Sequence, residues 1–135
     1  MKEGNKMDNC FCCNYRTNGY DILFENEYTV CIDANDPVLI DSCVIIPKEH
    51  KKTPFDLSHE EWMATQDLLH KVKQYLDNKC SPHGYNLGWN CGEVAGQTVF
   101  HSHLHVIPRY SDEPYSGLGI RYWLKQTENK RPPAK

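Results

Sequence analysis

Three histidines at alternate positions stand in the run His101-Ser102-His103-Leu104-His105-Val106-Ile107-Pro108. Alternation is the period of a β-strand, so the pattern predicts three imidazoles on one face, neighbours roughly 6–7 Å apart along the strand. The flanking Val99, Phe100, Leu104, Val106 and Ile107 give that strand a largely apolar opposite face. Imidazole is largely neutral near pH 7 and in that form is a nucleophile, able to split a hard displacement into two easier ones. Just upstream, Asn90-Cys91-Gly92-Glu93-Val94-Ala95-Gly96-Gln97-Thr98 is a polar loop punctuated by glycine. A histidine strand beside a loop rich in backbone N–H donors is suited to handling phosphate. The alternative is three solvated histidines on a sheet face.

A second group with chemical potential lies near the N-terminus, where Cys10-Phe11-Cys12-Cys13 contains a C-x-x-C spacing. Two thiolates so placed can take two corners of a zinc tetrahedron. A redox pair or surface thiols are the alternatives, and no thioredoxin-like pattern surrounds the motif to favour the redox one. The chain has seven cysteines, an odd number, and no signal-peptide core follows its polar first residues, so a disulfide framework is not expected. Cys31 and Cys43 sit in apolar runs and read as small buried hydrophobes.

The elements that must position these groups follow from patterning. With 135 residues the chain fits one domain with a hydrophobic core. Tyr20–Glu25 and Tyr28–Ile32 read as strands joined at Asn26-Glu27, and Cys43–Ile46 as a short buried strand stopped by Pro47. Ser58-His59-Glu60-Glu61 has the form of a capping box opening a helix over about 58–79, with Trp62, Leu69, Val72 and Leu76 at helical spacing. Ser81-Pro82-His83-Gly84 ends it, and Tyr85–Asn90 reads as a strand pairing with the histidine strand. His59, His70 and His83 are expected at the surface. The result is an α+β domain on an antiparallel sheet. A net charge of −3 and the lack of a Lys/Arg stripe argue against nucleic acid as a partner. Lys48, Lys51 and Lys52 read as solvated surface. No apolar run is long enough to span a bilayer, and the expectation is a soluble, cytoplasmic protein without a membrane partner.

The chain resembles the histidine-triad (HIT) superfamily of nucleotide hydrolases and transferases. The resemblance is carried by Phe24-Glu25-Asn26-Glu27, Ile32-Asp33, Val44-Ile45-Ile46-Pro47-Lys48-Glu49-His50, Asn90 to Thr98 and His101 to Arg109. It implies a HIT-like fold over residues 8–126, with 1–7 and 127–135 as flexible tails. The fold would be a five-stranded antiparallel sheet with one long and one short helix, usually in a homodimer. It also implies that His103 attacks the α-phosphorus of a purine nucleotide and that His105 flanks the nucleotidyl group. Gln97 and Thr98 would contact the phosphate or leaving group, and Asp33 the ribose hydroxyls. Asp33 also suits a turn-capping role, and Asn90 either reaches the sugar or phosphate or closes its own turn. Relatives that bind a structural zinc pair such cysteines with two distant histidines, and the matching set here is Cys10, Cys13, His50 and His101.

One position departs from the family pattern. Asp41-Ser42 stands where most relatives have Gly-His ahead of the strand ending in Ile-Pro. Serine keeps a hydrogen bond but carries no proton as imidazole does. The resemblance thus implies hydrolysis of dinucleoside polyphosphates, nucleoside phosphoramidates or adenylated compounds through a nucleotidyl-histidine. The alternatives are a nucleotidyltransferase, or a nucleotide-binding scaffold with vestigial activity. The segment Gly117–Trp123 carries an aromatic pair that either packs or borders a neighbouring subunit's site.

Overall fold

The computed structural model describes residue 7 and residues 9–133; residues 1–6, 134 and 135, part of the tails expected to be flexible, and residue 8, where the expected domain begins, lie outside the described residues. Five strands, β1 (Ile22–Glu25), β2 (Thr29–Asp33), β3 (Cys43–Pro47), β4 (Gly84–Gly88) and β5 (Leu104–Arg109), form one antiparallel sheet. Their order is β1-β2-β3-β5-β4. One long helix, α1 (His59–Cys80), connects β3 to β4. Its N-terminus is the expected capping box: Ser58 Oγ accepts from Glu61 N (3.1 Å) and Glu61 Oε1 accepts from Ser58 N (2.8 Å). It ends at Ser81, whose left-handed backbone (φ 48°) closes the last turn. Among the described residues, no helix is long and apolar enough to cross a membrane.

The alternation of β5 sorts its side chains. Leu104 and Val106 point into a core with Cys31, Cys43 and Ile45 that α1 covers with Leu68, Val72 and Leu76. Burying each of these aliphatic side chains stabilises the fold by about 1.5–3 kcal/mol. The helix stripe is offset from the one patterning predicts. Val72 and Leu76 are buried as expected, but the stripe continues through Leu68 and Ala64. Trp62 is 43% exposed and meets Trp89 edge to face. Both frames hold apolar residues three and four apart, and only the sheet beneath selects between them.

The opposite face of the sheet is covered in part. Val30, Ile32 and Ile46 pack there against Cys12 and Tyr15 from the N-terminal segment. That segment is a run of turns over 11–19 rather than a regular second helix, with i→i+4 bonds from Asn14 N to Cys10 O and from Asn18 N to Asn14 O. Asn14 Nδ2 also donates to Cys10 O, a local competition that disfavours helix propagation. Besides α1, the helical elements among the described residues are three single 3-10 turns. The face of β5 that carries His105 lies beyond the N-terminal cover and opposite Val44 of β3.

Candidate functional site

The three histidines do not all lie in the strand. β5 begins at Leu104; the chain bends over 99–101, and residues 102 and 103 run outside the ladder before it. Two hydrogen bonds explain this. Ser102 N donates to Lys51 O (2.6 Å), and the carbonyl of His101 accepts from His103 Nδ1 (2.8 Å). Backbone groups so engaged are unavailable for the β3 ladder, which pairs only Leu104 to Val106. The bend sends His101 away from its partners, while the rings of His103 and His105 stay together with centroids 4.8 Å apart.

The His103 bond also sets a tautomer. A carbonyl can only accept, so Nδ1 carries a proton, and in the neutral ring the lone pair lies on Nε2. This ring lines a cleft of about 260 Å³ shared with Phe11, Cys12 and Tyr20 of the N-terminal segment, Ile32, Asp33 and Ala34 at the end of β2, Val44 and Val99. Its walls are mostly apolar, with few polar groups, as ligand sites generally are. His105 is pushed below the usual histidine range, first by burial and then by the charge His103 would carry. It is therefore neutral at neutral pH.

Asp33 lies in this cleft and closes its own turn as well: Oδ1 accepts from Asn35 N (2.7 Å). Thr98 and Asn90 are both exposed, and Asn90 lies against Gly96 of the same loop. Gln97 is 3% exposed. Its Nε2 donates to Lys52 O (2.6 Å) and Val99 O (3.1 Å), and its Oε1 accepts from Gly92 N (2.8 Å). The Gln97 amide thus holds the loop in shape and ties it to the segment after β3. Ser42 is buried, and its backbone bonds to Leu39 O and Ala34 N close the connection between β2 and β3.

His101 points into a different cluster. Its Nε2–H donates to Pro47 O (2.8 Å), which leaves the Nδ1 lone pair facing Cys10 Sγ (3.4 Å), Cys13 Sγ (3.5 Å) and His50 Nδ1 (3.3 Å). Cys13 Sγ lies 3.4 Å from His50 Nδ1, and all four ligand atoms fall within 4.8 Å of one another. Metal–ligand lengths of about 2.3 Å to sulfur and 2.0–2.1 Å to nitrogen in a tetrahedron require S···N near 3.5 Å and N···N near 3.3 Å. The donor set fits. Burial, the largest cause, pushes His101 down to about 4, so it is neutral, as a ligand must be. The bond to Pro47 fixes its tautomer.

Sequence reading missed the cleft wall of Phe11, Cys12 and Tyr20 and the role of the segment after β3. Lys51, read there as solvated surface, pairs with the buried Glu61 (2.9 Å). His59, His70 and His83 are exposed, as expected. A second depression, lined by His83, Arg109 and Gly117–Gly119 among others, lies at the other end of β4 and β5. Its Arg109 is fully engaged with Glu113, Asn86 and the carbonyls of Tyr115 and Leu118.

Comparison with known proteins decides the relationship. The HIT domain profile matches residues 16–112. The chain belongs to the HIT family. This is a nucleotide-binding family whose superfamily includes hydrolases. Among solved HIT structures, one from Bacillus anthracis is 32% identical with a TM-score of 0.74, over 90% of this chain and 89% of that one. A zinc-bound histidine triad family protein from Mycobacterium smegmatis is 26% identical with a TM-score of 0.71, over 81% of each chain. An adenosine 5'-monophosphoramidase of Schizosaccharomyces pombe is 36% identical over 77 residues, 57% of this chain and 53% of that protein.

Proposed function

We propose that this HIT protein is a nucleotide hydrolase that works through a nucleotidyl-histidine. The observation that carries the reading is the His103 tautomer: Nδ1–H is held by the carbonyl of His101, so the free lone pair belongs to a ring that lines the cleft. In the first step His103 Nε2 attacks the α-phosphorus, and a P–N bond forms as the bond to the leaving group breaks. Water then cleaves the P–N bond, releasing a nucleoside monophosphate and regenerating the imidazole. His105 flanks the nucleotidyl group as a neutral ring. The apolar wall takes a purine base, and Asp33 has Oδ2 to offer the ribose hydroxyls. Thr98, Asn90 and the backbone N–H groups of the loop steady the phosphate, with Gln97 contributing through the loop it holds.

Cys10, Cys13, His50 and His101 would hold a zinc ion. Bound there, zinc crosslinks the chain and has no open position for substrate. Residues 8–126 form the functional unit. The edge strand β4 with its exposed Leu87, together with exposed Trp123 and Leu124, supports a homodimer. An odd count of seven cysteines, which no disulfide framework can fully use, favours the reducing cytoplasm.

The test is a panel of dinucleoside polyphosphates, adenosine phosphoramidates and adenylated compounds, assayed by product analysis for the parent and for His103→Asn. The parent should release nucleoside monophosphate, and the variant should bind AMP yet turn over nothing. A variant within about tenfold of the parent (about 1.4 kcal/mol) would remove His103 as nucleophile. Formation of a nucleotide–sugar product when a sugar phosphate is added would reassign the reaction as transfer.

A further inference from the structure

The Cys10/Cys13/His50/His101 cluster and the nucleotide cleft share their supports at three places. Phe11 and Cys12 lie between the two cysteine ligands, and both are cleft wall. His101 offers its ring to the cluster and its carbonyl to His103 Nδ1. The third link runs through the residues following His50. Lys51 O accepts from Ser102 N, and Lys52 O accepts from Gln97 Nε2, whose Oε1 accepts from Gly92 N at the start of the phosphate loop. Base wall and nucleophile therefore sit within two residues of a cluster ligand, and the loop is joined by one hydrogen bond to Lys52, two residues past His50.

From these links we infer that metal occupancy and nucleotide affinity are reciprocally coupled: closing the four-residue cluster organises the cleft for a purine nucleotide, and a bound nucleotide tightens the hold on the metal. This rests on the proposed reading of the cleft as a nucleotide site. With no ion between them, the two sulfur and two imidazole side chains meet only through contacts of 3.3–3.5 Å, and sulfur is a weak hydrogen-bonding partner. A divalent ion replaces them with four bonds, so the segment of Phe11 and Cys12 and the segment 50–52, already packed in place, are held more tightly to each other when it is bound. By linkage, the factor by which zinc raises nucleotide affinity must equal the factor by which nucleotide raises zinc affinity.

The experiment titrates AMP into zinc-loaded and zinc-stripped full-length protein by calorimetry. Equilibrium transfer of Zn²⁺ to a chromophoric chelator is measured in parallel over a series of AMP concentrations. The expected result is a change in AMP affinity of at least fivefold on stripping. Zinc affinity should rise by the same factor with AMP and level off once AMP saturates. In Phe11→Ala, which keeps all four ligands, the factor should shrink towards one. Equal AMP affinity with and without zinc overturns the inference. So does a zinc affinity that keeps rising tenfold for each tenfold of AMP, because that is the signature of linkage to global unfolding instead. Loaded protein that binds no AMP at all would overturn the nucleotide reading itself, a result distinct from both.

Discussion

Lys51 Nζ lies 2.9 Å from Glu61 Oε1, and the same oxygen accepts the backbone N–H of Ser58 at 2.8 Å. One carboxylate thus caps α1 and anchors the segment that carries His50 and supports the histidine bend. Glu61 is 3% exposed, so removing it would leave a partly buried ammonium and a helix terminus without partners. Glu61→Ala should lower stability by about 2–4 kcal/mol in urea denaturation. Pairing it with Lys51→Met should recover part of the loss. A single variant within about 0.5 kcal/mol of the parent would show that the pair does not hold this junction.

Metal content is directly measurable. Freshly purified protein should carry about one zinc per chain, the stoichiometry of a closed four-ligand site. Cys10→Ser or Cys13→Ser should lose the metal and melt at lower temperature, while turnover persists at saturating nucleotide and moderate temperature. If a chelator halted turnover at once without changing the melting temperature, the metal would belong to the reaction instead.

His105 gives a pH dependence of definite sign. Burial first, and the charge on His103 second, hold its pKa below the ordinary value. The folded protein therefore binds fewer protons than the unfolded chain once the pH drops below about 6.5. The stability tied to this ring is complete above that pH and declines as pH falls towards the folded pKa. An NMR titration of the ring should place its midpoint below 6.5. In His103→Asn the midpoint should rise but remain below 6.5, since burial persists. A parent midpoint at or above 6.5 would contradict the burial argument.

Ser42 stands where the family resemblance implies a histidine in most relatives. Ser42→His should raise turnover and add a limb titrating at about pH 6–7 to the rate profile. Because Ser42 is 5% exposed, the larger ring should also cost about 1–3 kcal/mol of stability. A turnover rate and profile identical to the parent's would mark the serine as a packing choice.

What patterning revealed and what it concealed have different physical origins. The capping box at Ser58, the five strands and the C-x-x-C pair with two distant histidines were legible because each depends on local sequence or on a specific family resemblance. The late start of β5 was not, since residues just ahead of it are held off the ladder by contacts such as Ser102 N to Lys51 O, fifty-one residues earlier in the chain. Period-two spacing of His101, His103 and His105 reads the same whether or not the strand begins late. The loop that carries Gln97 was legible, but the amide's partners at Lys52 and Gly92 depend on how the chain returns. Cys12 was overshadowed by its neighbours, although its place between two ligands could have marked it as part of the same structure.

The ligand cluster joins residues 91 positions apart, from Cys10 to His101. The entropy of closing so long a loop grows only logarithmically, by about 0.6 kcal/mol per doubling of length. The delay is therefore kinetic rather than thermodynamic. On the ribosome, Cys10 and Cys13 emerge early, His50 midway and His101 only when most of the domain has been made. Until then, a metal caught by the first two thiols keeps vacant positions that Cys31 or Cys43 can fill while still unburied. For the proposed zinc site, metal delivery would thus be a matter of timing: an ion that arrives before His101 would meet an incomplete set of ligands, and one that arrives afterwards the finished site.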